Sequence, residues 1–175
     1  MTADSERLLR HLVATIAYRA SRSLRDAPEG YADVRATASS MSAVELVCHM
    51  TNVLAFALAT ITQAERVRHD RLTWDGEVER FYGVLRLVDE AFAAGPGRPA
   101  LAPETELMIL QGPLADVLTH VGQLHALRRL AGAPVAPEAY TKADIRIGRI
   151  DLDAQAPPAA PQAPFVPPSR TQRPR

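Results

Sequence analysis

The chain has one cysteine in 175 residues, Cys48. A single thiol excludes an intrachain disulfide and any thiolate-rich structural zinc site, and it makes an intracellular protein the default expectation. Charge of one sign is also missing, because twenty basic residues balance twenty acidic ones. Bulk charge therefore points to neither nucleic acid nor an anionic membrane as partner, which leaves a small molecule as the expected one. There is no long apolar run: the weakly polar stretch around Val53 to Ile61 is well short of the roughly 20 residues that span a bilayer. The opening Met-Thr-Ala-Asp-Ser-Glu-Arg carries no export signal, and a soluble cytoplasmic protein is expected. Also lacking are a Gly-x-Ser-x-Gly elbow, a phosphate-binding glycine loop, a Cys-x-x-Cys pair, an internal repeat and any sustained period-two alternation, so strands have little support.

Apolar residues at helical spacing are what the chain does have. Leu8, Leu9, Leu12, Val13, Ile16 and Ala20 predict a first helix from Ser5 to about Arg25, ended by Pro28-Glu-Gly30. Ser42-Ala-Val-Glu45 has the form of a capping box and starts a second helix, from Ala43 to about Arg66. Val78, Phe81, Tyr82, Leu85, Val88 and Phe92 place a third helix between Trp74 and Ala94, with Gly95-Pro96-Gly97 as its stop. A fourth begins at Pro103-Glu104 and runs to Gly132, a suitable left-handed cap with Pro134 beyond it. Four helices in a chain that is 47% hydrophobic imply an all-α four-helix bundle over residues 1–153. The Pro- and Ala-rich stretch 154–175 is expected to be an extended or disordered tail, dispensable for the bundle, with Phe165 and Val166 as its only bulky apolar pair.

The chemistry-bearing residues are Asp116 and His120 on the fourth helix and His49 on the second. Four residues along an α-helix is a rotation of about 400°, so Asp116 and His120 share a face one turn apart. Val117 and Leu124 lie within about 60° of His120, as Leu46 and Val53 do of His49, so all three polar groups are expected to look inward and converge. A buried charge without a partner costs several kcal/mol, and a shared metal ion would supply the partner. The spacing fits equally an ordinary intrahelical pair with a satisfied core histidine. His125, about 140° from His120, is expected outside the cluster. His11 and His69 read as surface or packing residues, the latter in the charged run Arg66-Val-Arg-His-Asp-Arg71, which has the look of a solvated helix end. Glu45 is explained by its cap, Cys48 as a small packing residue, and Tyr18, Arg19 and Arg22 as a solvated face.

The residues Glu45-Leu-Val-Cys-His49-Met-Thr, then Asp116-Val-Leu-Thr-His120-Val-Gly-Gln123, then Leu127-Arg-Arg-Leu-Ala-Gly-Ala-Pro134, resemble the DinB-like superfamily, with its YfiT-like metal-dependent hydrolases. The resemblance covers about residues 5 to 135 and implies a bundle whose metal is held by one histidine of the second helix and a His-x-x-x-His pair of a later one. Asp116 stands where that family usually has histidine. The implied set of two histidines and a carboxylate suits Zn²⁺ with an open place for water, and also Ni²⁺, Fe²⁺ or Mn²⁺. By resemblance, the expected activity is that of a metal-dependent thiol S-transferase or hydrolase acting on a small electrophile, with a low-molecular-weight thiol such as bacillithiol or mycothiol as cofactor; a homodimer, packing apolar helix faces together, is expected. A non-catalytic stress-response or binding module with a vestigial or structural metal site is the alternative.

Overall fold

A computed structural model of the chain describes residues 1–93 and 101–160. Four helical rods and no strand are found among them, so the fold class is all-helical as the sequence periodicity predicts. Helix α1 (Ala3–Leu24) starts where the Thr2 side chain accepts from the Ser5 amide. Helix α2 (Ala43–Thr62) starts at a complete capping box, Ser42 accepting from the Glu45 amide while Glu45 accepts from the Ser42 amide. Helix α3 spans Trp74–Ala93, and the expected stop at Gly95-Pro96-Gly97 lies outside the described residues. The fourth rod is helix α4 (Pro103–Ile109), a wider π turn over Leu110–Leu114, and helix α5 (Ala115–Leu130).

Two helix boundaries differ from the sequence reading, each for a local reason. Helix α2 does not reach Arg66: Gln63 takes a left-handed φ of 55°, the Ala64 amide bonds back to the Ala59 carbonyl, and the chain leaves as a loop. The fourth rod is not one regular helix, because Pro113 has no N–H for the fourth carbonyl back and its ring would crowd that carbonyl. Widening to a π turn accommodates it. The predicted end at Gly132 is formed, with φ of 73°: the Gly132 and Ala133 amides bond to the Arg129 and Arg128 carbonyls, closing a Schellman motif.

Helices α1 and α2 each pack against both α3 and α5, so the four rods share one core. Its centre is Val13, Ile16, Met50, Leu54, Phe81, Leu85, Leu114 and Leu124, all with no exposed surface. Burying a side chain of this kind contributes about 1.5–3 kcal/mol each relative to exposure. Two buried tyrosines bond across the core, Tyr31 to the Leu124 carbonyl (2.8 Å) and Tyr82 to the Ala17 carbonyl (3.1 Å). Helix α2 is long and apolar enough, by length and composition, to cross a membrane, beyond the shorter Val53–Ile61 stretch noted in the sequence. Half of that stretch is buried inside the fold, as the central helix of a core requires.

Tyr18, Arg19 and Arg22 do not form the solvated face expected of them. The segment after α5 folds back over α1, so Tyr18 is fully buried and its hydroxyl donates to Glu138, itself paired with Arg22 at 3.3 Å. Burial and the Glu138 carboxylate push the Tyr18 hydroxyl up to about 12. The Arg19 guanidinium lies 4.0 Å over the Tyr140 ring. Within the expected tail, Gln155 is buried and its Nε2 donates to the Arg149 and Asp151 carbonyls, and the Ala159 amide donates to Glu138. Phe165 and Val166 lie outside the described residues.

Candidate metal centre

His49 sits in the second turn of α2, and Asp116 and His120 occupy the first two turns of α5, just after the π turn. Because α2 packs on α5, the three side chains meet. His49 Nε2 is 3.6 Å from Asp116 Oδ2, His120 Nε2 is 3.4 Å from Asp116 Oδ1, and the two imidazoles cross edge to face with centroids 4.8 Å apart. One ligand atom from each residue lies within 4.8 Å of the other two, so the group could hold a metal ion. Bonds of about 2.1 Å at tetrahedral angles separate neighbouring ligand atoms by about 3.4 Å, which the two carboxylate distances already approach.

His120 is the fixed member of the set. Its side chain is 11% exposed, and its Nδ1 lies 2.9 Å from Gln123 Oε1. With the ring proton on Nδ1 donated to that oxygen, the Nε2 lone pair is left to face Asp116 and His49, the arrangement a metal-ligating imidazole requires. Gln123 was visible in the sequence only as part of the stretch after His120; its spacing of three along a helix is the signal that could have assigned it this role.

Asp116 and His49 are less buried than the helical phases predict, at 45% and 40% side-chain exposure. The cluster therefore lies at the rim of the α2–α5 contact, not inside the core. There the carboxylate keeps part of its hydration and avoids the cost of burial, and solvent or a small molecule reaches the ligand atoms.

The other candidates separate from this group. His125 turns toward α1, its Nε2 3.3 Å from the Arg19 carbonyl, and burial pushes its pKa down, with Arg19, Arg129 and Arg22 adding repulsion. Cys48 is half-buried beside Asn52 and the His69 carbonyl, and burial and the neighbouring Glu77 push its thiol up, away from the thiolate form. Glu45 carries its cap and ion pairs to Arg35 and Arg71. His69 belongs to the loop after α2, not to a solvated helix end. Its amide donates to Asn52 Oδ1 (2.8 Å), and Asn52 Nδ2 donates back to its carbonyl (3.0 Å). No known protein family, curated protein or solved structure matches the chain.

Proposed function

We propose that this protein is a metal-dependent enzyme of the DinB-like type, an S-transferase or hydrolase acting on a small electrophilic molecule in the cytoplasm. The observation that carries the reading is the convergence of His49, Asp116 and His120 from two helices, with His120 oriented by Gln123. The donor set of two imidazoles and one carboxylate fits a divalent metal, Zn²⁺ best, with Ni²⁺, Fe²⁺ and Mn²⁺ as alternatives. Such an ion lowers the pKa of a coordinated thiol or water, so that a nucleophile exists near neutral pH. The protein's own part is to hold three ligand positions, fix the His120 tautomer through Gln123, and leave the fourth direction open at the rim. A low-molecular-weight thiol is the co-substrate that an S-transferase reading requires, since the only cysteine of the chain is not a member of the cluster and burial and Glu77 disfavour its thiolate.

A purely structural metal site is less well supported, because such sites are closed by four protein ligands and shielded from water. Here three ligands meet, and two of them are about two-fifths exposed. The test is metal analysis of protein purified without a histidine tag, followed by a thiol-consumption assay with a model electrophile. Stoichiometric metal and metal-dependent thiol loss are expected. Metal-free protein that cannot be loaded would overturn the reading.

A further inference from the structure

We propose that Arg66 and Arg68, on the loop between α2 and α3, bind an oxyanion group, a carboxylate or a phosphate, of the molecule that reacts at the metal centre. This inference rests on the metal-site reading for the place of reaction, and on separate residues for the recognition. His49 is a wall shared between the cluster and a neighbouring open cleft of about 490 Å³, lined also by Asn52, Arg66, Arg68, Asp70 and Arg71. A cleft of this size admits a small molecule.

The loop that carries the arginines is strapped down just beyond them. Asn52 holds both the amide and the carbonyl of His69, Arg80 donates to the Asp70 carbonyl (2.7 Å), and the Leu72 amide donates to Glu77 Oε1 (2.6 Å). Glu77 has no exposed surface and is itself paired with Arg80. Hydrogen bonds at three successive places along the loop fix its path against α2 and α3, so part of the ordering cost of a binding loop is met before a ligand arrives.

Charge in the cleft is not cancelled. Glu45, one of its two carboxylates, is engaged by Arg71 from inside the cleft and by Arg35 from outside it. Asp70 is the other. Arg66 lies over the Phe56 ring at 5.5 Å, and neither it nor Arg68 forms an ion pair among the described residues. Two guanidinium groups on one cleft, neither paired to its carboxylates, leave planar forks of N–H donors, which match carboxylate and phosphate oxygens. A molecule whose thiol or electrophilic centre sits at the metal can place an oxyanion there, because His49 borders both spaces.

The test uses the full chain loaded with Co²⁺ and titrated with mercaptosuccinate or with uncharged 2-mercaptoethanol, following the sulfur-to-cobalt absorption, in wild type and in R66Q/R68Q. Two partly exposed ion pairs correspond to about a tenfold loss of mercaptosuccinate affinity in the variant, with 2-mercaptoethanol unchanged. Equal change for both thiols, or no change for either, would overturn the proposal while leaving the metal centre intact. If cobalt does not bind, the metal reading falls; if cobalt binds and neither thiol does, the S-transferase arm of that reading falls. The arginines are then judged on metal-free protein, by titrating succinate and inorganic phosphate against the arginine Nε–H signals in NMR spectra. Shifts lost in R66Q/R68Q would sustain the oxyanion arm, with the tighter ligand naming the group, and absence of such shifts would overturn it.

Discussion

Replacing Gln123 by leucine tests whether the site is organised for a metal or merely places two histidines and an aspartate together. In the native arrangement the Gln123 oxygen, 2.9 Å from His120 Nδ1, selects the tautomer with Nε2 free for ligation. Leucine has similar length and no acceptor, so the ring loses both its tautomer bias and its rotational restraint. Losing such an outer partner weakens metal binding by about 10–100-fold. Gln123 is exposed, so water can take over part of its role, and the expected loss is at the lower end, about tenfold or ~1.4 kcal/mol. Metal-free stability should fall by only about 1 kcal/mol, the net worth of one hydrogen bond. The assay is competition against a chromophoric zinc chelator near neutral pH, with Gln123→Glu as control, since a carboxylate keeps the acceptor and strengthens it. Unchanged affinity in Gln123→Leu, or an equal fall in Gln123→Glu, would refute the orienting role.

His120→Ala should remove most of the bound metal and His125→Ala little of it, read by metal analysis; equal loss would show that both imidazoles reach the site. The folded state holds His125 at a lowered pKa, so the unfolded chain takes up the proton first: the stability this adds is present above about pH 6.5 and is lost as the pH falls through the folded value. Denaturant melts across that window should show a shallower acid loss in His125→Gln, and an identical slope would refute the assignment. Truncation after Asp153 removes the Gln155 and Ala159 hydrogen bonds and should lower the melting temperature by about 2–8 °C. An unchanged transition would show that these contacts add nothing net.

The helices were legible because their signals are local. The Ser42 and Glu45 pair, Pro103 in the first turn and Gly132 at the left-handed cap each act within a few residues, and the structure forms all three. What was missed depends on contacts distant in sequence, or on one residue overruling a pattern. Tyr18 and Arg22 occupy positions on α1 that are exposed on an isolated helix, and Glu138 and, over Tyr18, Pro157, each more than a hundred residues away, cover them. The run Arg66 to Arg71 reads as a solvated helix end by charge, yet Asn52 and Glu77 bind its backbone, and backbone hydrogen bonds leave no composition signal. Pro113, like Gln123 three residues after His120, was a local signal overlooked: the apolar periodicity on either side continued through the proline while the backbone could not.

The convergence of His49, Asp116 and His120 could be drawn from helical phase, but their depth could not. Phase assigns a direction around the helix axis, and residues 40–60° from the centre of the buried stripe can be covered or bare depending on where the neighbouring helix ends its contact. Here Val117 and Leu124, adjacent to His120 on α5, are fully buried, while Asp116 on the other side of it is nearly half exposed. The edge of the core therefore runs between His120 and Asp116. That line determines the chemistry open to the site: one candidate ligand is anchored by packing, and two stand where solvent and a reactant can reach them.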